Sequence, residues 1–128
     1  MILNIETTKR EQIILGLFDD NVLKCFEFET EGQPALTRVR RGMSEDLLAA
    51  IDGILKKNNF ELKDLEAILV NCGPGSFTGV RVGVTVANTL GWSLSIPVVG
   101  YRDGELEKYL SRNITKGEFS KPVLPFYS

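Results

Sequence analysis

The chain has 128 residues, 43% of them hydrophobic and 25% charged, and its 15 basic and 17 acidic side chains give a formal net charge of −2. This is the composition of one globular domain able to bury a core, and the charge argues against a protein that grips nucleic acid unaided, because phosphate contacts supply most of such affinity. There is no histidine, which removes Ser–His catalysis, histidine metal sites and the commonest general base.

The first elements read as strands. Residues 2–5 alternate weakly, Thr7 to Arg10 form a polar turn, and Gln12 to Phe18 are apolar and β-branched enough for a second strand. This start has no basic n-region, so no signal peptide is expected. Asp19-Asp-Asn21 reads as a hairpin turn, because Asp and Asn tolerate the left-handed region and bond nearby backbone. Val22 to Phe28 alternate as a third strand, with Cys25 in it. Cys25 and Cys72 have no metal-ligand spacing and make no disulfide framework, so a reduced cytoplasmic pair is expected.

Residues 29–42 read as a polar loop, and its run Arg38-Val-Arg-Arg41 as a solvated basic cluster. A helix is predicted from about Ser44 to Lys57. Ser44 suits the N-cap, Glu45 and Asp46 the positive end of the helix dipole, and Lys56 and Lys57 the negative end. Leu47, Leu48, Ile51, Ile54 and Leu55 form its apolar stripe, and Asn58-Asn59 its stop signal. Ala67-Ile-Leu-Val70 reads as a short buried strand.

Next comes Asn71-Cys-Gly-Pro-Gly-Ser-Phe-Thr-Gly-Val-Arg81, the most distinctive stretch of the chain. Gly73, Gly75 and Gly79 can take positive φ, Pro74 cannot rotate about φ, and Ser76 and Thr78 carry hydroxyls that can cap free N–H groups. The G-x-G-x-x-x-G spacing is one residue too long for the dinucleotide fingerprint, no Gly-Lys-Ser/Thr follows, and Ser76 is not centred in G-x-S-x-G. Two readings stay open, a tight strand-to-helix turn and a turn that presents N–H groups to an anion.

Val80, Val82, Val84 and Val86 alternate as in a strand. However, the segment runs to Leu94 without a turn signal, and at about 100° per residue Val80, Gly83, Val84, Ala87, Leu90, Gly91 and Leu94 share one face. The prediction is a helix whose ridge of Gly83, Ala87 and Gly91 lets it approach a sheet closely. Pro97 to Gly100 read as a buried strand, Gly104 to Ser111 as a small helix, residues 112–121 as loop, and the two-proline tail Lys121-Pro-Val-Leu-Pro-Phe-Tyr127 as an edge strand or packed tail. No stretch is apolar for the length of a membrane span.

GPGSFTGVRVGV, followed by an apolar stretch and Ile96-Pro-Val-Val-Gly100, resembles the signature of the TsaB family, bacterial accessory proteins of tRNA threonylcarbamoyladenosine synthesis. Ile2-Leu-Asn-Ile-Glu-Thr-Thr8, Phe18-Asp-Asp-Asn-Val-Leu23 and Leu62-Lys-Asp-Leu-Glu-Ala-Ile68 extend the resemblance over roughly residues 1–101. Element order and right-handed crossovers give a mixed α/β sheet of order 3-2-1-4-5. That is one ribonuclease-H-like half of the actin/Hsp70-type (ASKHA) fold, over residues 1–111. The family has two such halves, and residues 112–128 resemble a loop and the opening strand of the second.

The resemblance implies a non-catalytic partner that docks on a TsaD-like synthase, with a TsaE-like ATPase as a further associate and no strong nucleic-acid contact of its own. Its function would be in placing a threonylcarbamoyl group on N6 of adenosine 37 of tRNAs. It implies a contact surface on the two helices, able to self-pair as a homodimer. Arg81, Val82, Val86 and Trp92 are the candidate residues, with core packing the alternative for Val82, Val86 and Trp92. In actin-like enzymes a carboxylate at the end of strand one and the first hairpin hold phosphate and metal. Glu6, Thr7 and Thr8 occupy that place here, Glu6 replacing the usual Asp. With Gly73, Gly75 and Ser76 they form the candidate site for ATP or ADP at a partner interface. No catalytic or metal-ligating residue is expected. The alternatives are a small actin-like ATP-binding or phosphotransfer domain and a stand-alone homodimeric module.

Overall fold

A computed structural model of the chain describes residues 1–9, 12–20, 22–29 and 43–110. Most of the expected loop with its basic run, Asn21 of the hairpin turn and the tail beyond 110 lie outside these residues, as do the side chains of Ser44, Tyr109 and Leu110.

The strands are β1 (Ile2–Glu6), β2 (Gln12–Asp19), β3 (Val22–Glu29), β4 (Ala67–Asn71) and β5 (Val98–Tyr101). The helices are α1 (Met43–Lys57), α2 (Phe77–Leu94) and the short α3 (Leu106–Leu110), with a single 3₁₀ turn at Leu62–Asp64. The sheet order is β3-β2-β1-β4-β5, as expected from the sequence. β1 runs antiparallel to β2, from Ile2 opposite Phe18 to Glu6 opposite Ile14, and parallel to β4, from Ile2 opposite Ala67 to Ile5 opposite Val70. β5 extends the parallel side, from Ile68 opposite Val98 to Asn71 opposite Tyr101. At the hairpin tip Asp20 takes the left-handed conformation, φ 49°, which an Asp tolerates at low cost.

Both crossovers move the same way across the sheet, so right-handed connections put α1 and α2 on one face. One core results. It joins Leu3 and Ile5 of β1, Ile13, Leu15 and Leu17 of β2, and Ile68 and Val70 of β4 to Leu47, Ile51, Ile54 and Leu55 of α1 and Val80, Val84, Val86 and Ala87 of α2. Each such aliphatic, taken fully out of water, contributes roughly 1.5–3 kcal/mol before the entropy of ordering is subtracted. The alternate residues Leu69, Val99 and Tyr101 form a smaller cluster with Ile2 and Leu106.

The C-terminal ends of the helices follow their sequence signals, whereas α1 begins at Met43, so that Ser44 stands inside the helix and not at its N-cap. Asn58 Nδ2 donates to the Ile54 carbonyl at 2.7 Å, Asn59 is left-handed at φ 63°, and the Phe60 N–H returns to the Leu55 carbonyl at 2.8 Å. These contacts satisfy carbonyls that the last turn of α1 leaves open. One stripe member differs from expectation: Leu48 is 45% exposed. It stands one residue from Leu47, about 100° round the helix, beyond the face that the sheet and α2 cover. α2 ends at a left-handed Ser95, and the Ile96 N–H returns to the Gly91 carbonyl at 3.0 Å.

Candidate functional site

The glycine segment is a strand-to-helix turn held on the end of β1. After β4, Gly73 takes φ 94° and the Gly73–Pro74 peptide is cis. Ser76 caps α2: its Oγ accepts the Gly79 N–H at 3.3 Å, and its carbonyl accepts the Val80 N–H at 2.9 Å. The Ser76 N–H donates to the Thr8 carbonyl at 2.7 Å, and Thr7 Oγ1 donates to the Gly79 carbonyl at 2.6 Å. Positive φ occurs at Gly73 and not at Gly75 or Gly79, which corrects the conformational argument for those two. Their need for glycine is close approach. A Cβ on Gly75 would stand 2.6 Å from the Thr8 carbonyl oxygen, and a Cβ on Gly79 would overlap the Thr7 carbonyl oxygen.

A polar group lies at the carboxyl ends of β1, β4 and β5. Asn71 is buried and uses its whole amide. Oδ1 accepts the Gly73 N–H at 2.9 Å, and Nδ2 donates to Asp103 Oδ1 at 2.9 Å and to Glu6 Oε1 at 3.3 Å. Thr8 Oγ1 reaches the same Glu6 oxygen at 3.5 Å. Two carboxylates therefore share one amide donor. Below the sheet, Tyr101 Oη donates to Asn4 Oδ1 at 2.7 Å. Burial pushes the Tyr101 phenol well above its ordinary range, and the charge of Glu6 adds to the shift. Burial likewise pushes the Cys72 thiol up to about 11, against a smaller opposing effect of its contact with Tyr101 backbone. The Cys72 side chain is packed in the core. Among the described residues no group of three or more His, Cys, Asp or Glu could hold a metal ion.

The outer face of α2 is the third component. Phe77 is 57% exposed and Trp92 85% exposed. The Arg81 guanidinium lies 5.3 Å from the Phe77 ring centroid, within cation–π range. A depression of about 280 Å³ is lined by Phe77, Thr78, Arg81, Val82 and Thr85. Phe77, Arg81, Thr85, Asn88 and Trp92 fall within about 80° of arc on this helix.

Glu6, Thr7, Thr8, Gly73, Gly75 and Ser76 are thus brought together at the strand ends. The N–H groups of Gly73, Ser76 and Gly79 are already engaged, by Asn71, Thr8 and Ser76. Of the surface candidates, Arg81 and Trp92 are exposed and Val82 is half-buried. Val86 is 5% exposed and belongs to the core, a correction with a plain cause: α1 packs along α2 and shares that core with it. Sequence reasoning missed Phe77 as a surface residue, and Asn71 and Asp103 as partners of Glu6. Asn71 opens the glycine segment, which is a signal. Asp103 has none, since only the β4–β5 register brings it near.

A family model described as TsaD, tRNA N6-adenosine threonylcarbamoyltransferase, matches residues 37–128. The tRNA threonylcarbamoyladenosine biosynthesis protein TsaB of Bacillus subtilis (strain 168) is 36% identical over 97 residues, 76% of this chain and 38% of that protein. Its namesake in Escherichia coli (strain K12) is 35% identical over 60 residues, 47% of this chain and 26% of that protein. YeaZ from Pseudomonas aeruginosa is similar in fold, with a TM-score of 0.65 at 24% identity over 80% of this chain and 42% of that chain. The chain therefore spans less than half the length of these relatives. The sheet order and the likeness to YeaZ agree with the ribonuclease-H-like, actin-type half expected from the sequence. With that family model covering most of its length, the chain belongs to the family described as TsaD, tRNA N6-adenosine threonylcarbamoyltransferase, and it is similar to the TsaB proteins over part of their length.

Proposed function

We propose that this chain is a TsaB-like, non-catalytic partner that docks on a TsaD-like synthase and supports transfer of a threonylcarbamoyl group to N6 of adenosine 37 in tRNAs. The observation that carries the reading is the outer face of α2. A helix whose opposite side is fully used by the core shows water an aromatic residue at each end, Phe77 and Trp92, with Arg81 between them. Aromatic and Arg side chains are the usual anchors of protein interfaces. A non-catalytic role is supported by the lack of histidine and by the high pKa of the Cys72 thiol. No helix among the described residues is long and apolar enough to cross a membrane. The reading includes a cytoplasmic location, a TsaE-like associate and self-pairing through the same face when the synthase is absent.

ATP or ADP at the strand-end residues is the second reading. The meeting of the Thr7–Thr8 turn with the glycine turn favours it, and the engaged N–H groups weigh against it. Titration of the purified chain with a TsaD-like synthase and, separately, with ATP tests both. Binding of the synthase that Trp92→Ala weakens at least tenfold is the expected result. No binding of the synthase, with ATP bound and turned over in a Glu6-dependent way, overturns the first reading.

A further inference from the structure

Thr7 is wholly buried at the end of β1, yet it is not a valine. Its hydroxyl donates to the carbonyl of Gly79, 72 residues away, in the first turn of α2. The space it occupies is left free by two glycines of that helix: a Cβ on Gly79 would overlap the Thr7 carbonyl oxygen, and a Cβ on Gly83 would overlap the Thr7 hydroxyl. The next residue completes the grip, with the Thr8 carbonyl holding the Ser76 N–H. Neither Gly79 nor Gly83 can be replaced at this contact by a neighbour, since turning α2 by one residue, about 100°, would carry a valine side chain into Thr7. The contact therefore fixes the rotation of the helix about its own axis, not merely its distance from the sheet.

Phe77 and Arg81 stand two residues to either side of Gly79, about 160–200° away round the helix, so a grip on the Gly79 side sets where they point. Trp92 lies far along the helix. That end has its own anchor, because the site of a Cβ on Gly91 is filled by Val98. We infer that Thr7 is a positioning residue for the Phe77–Arg81 half of the docking face, and not for the Trp92 end. This inference rests on the docking reading only for its functional consequence; the grip itself can be tested without a partner.

The test uses Thr7→Val, which keeps shape and removes the donor, and Thr7→Ser, which keeps the donor. In the free chain, amide hydrogen exchange is measured along α2. Thr7→Val should speed exchange of the Gly79 to Arg81 amides about fivefold, leave Leu90 to Leu94 unchanged, and be rescued by Thr7→Ser. Uniform acceleration along the helix, or none, overturns the inference. With the TsaD-like synthase, Thr7→Val should weaken binding about fivefold, with the full effect in a Trp92→Ala background and almost none in a Phe77→Ala background. Equal losses in both backgrounds overturn the positioning role. If the wild-type chain does not bind the synthase, the docking reading fails, and the exchange pattern still decides the grip.

Discussion

Replacing Gly79 by alanine sets two effects against each other. In a helix interior, alanine is favoured over glycine by ~1 kcal/mol. At Gly79 the new Cβ would land on the Thr7 carbonyl oxygen, a backbone atom that cannot rotate aside. Displacing α2 to make room costs ~1–3 kcal/mol as overpacking, and the Thr7–Gly79 hydrogen bond, worth ~1 kcal/mol, is lost with it. The expected net loss is therefore about 1–3 kcal/mol. Gly53 of α1 supplies the internal control, because nothing lies within 4 Å of its Cβ position and it is exposed. There only the propensity acts, and Gly53→Ala should stabilise by ~0.5–1 kcal/mol. Urea unfolding followed by circular dichroism measures both, and for a chain of this size each kcal/mol moves the thermal midpoint by roughly 3–6 °C. The close-approach argument is refuted if Gly79→Ala is as stable as the wild type while Gly53→Ala behaves as expected.

Trp92→Ala should leave the unfolding midpoint within ~0.5 kcal/mol of wild type, as for an exposed side chain, and lose synthase affinity; an equally large fall in stability would place Trp92 in the fold, not on the docking face. Cys72 should resist thiol reagents at pH 8 in the folded chain while exposed Cys25 reacts, as a colorimetric thiol assay would show. The folded thiol titrates at about 11 against an ordinary value of 9.0, so its contribution to stability is complete below pH 9.0 and is lost as pH rises through about 11. Cys72→Ala should show a shallower decline over that window, and an unchanged slope counts against burial as the cause. Asn71→Asp removes the shared donor and adds a third carboxylate beside Glu6 and Asp103. It should cost ~2 kcal/mol or more at pH 7. Crowded carboxylates have raised folded-state pKa values, so the deficit should shrink as pH falls towards ~4, and a pH-independent deficit would mean that only the lost hydrogen bonds matter.

The architecture was legible because local signals and topology rules agree. The valines of α2 are the hard case: Val80, Val82, Val84 and Val86 alternate as in a strand, and a helix is favoured by the length of the segment without a turn signal, by the family resemblance and by a shared face that carries the ridge of Gly83, Ala87 and Gly91. That ridge is buried as expected. Val86 was harder, since a helix's own periodicity shows which stripe is apolar but not that a second helix covers its flank. The strand-end group was half legible. Glu6, Thr7 and Thr8 follow a strand in an obvious way. The link from Glu6 through Asn71 to Asp103 depends on the registers of two parallel pairings, which no short window of sequence contains.

The central place of β1 has a consequence for the ribosome-bound chain. β1 is made first and acquires its hairpin partner β2 at once, but its other neighbour, β4, is not complete until Asn71. At translation rates of about 5–20 residues per second, that leaves the second edge of β1 open for several seconds. During this interval the Ile2–Glu6 backbone is a template that any extended segment can join. Codon choice between β2 and β4, or a chaperone that shields nascent strands, would thus bear on the yield of soluble protein independently of the stability of the finished core.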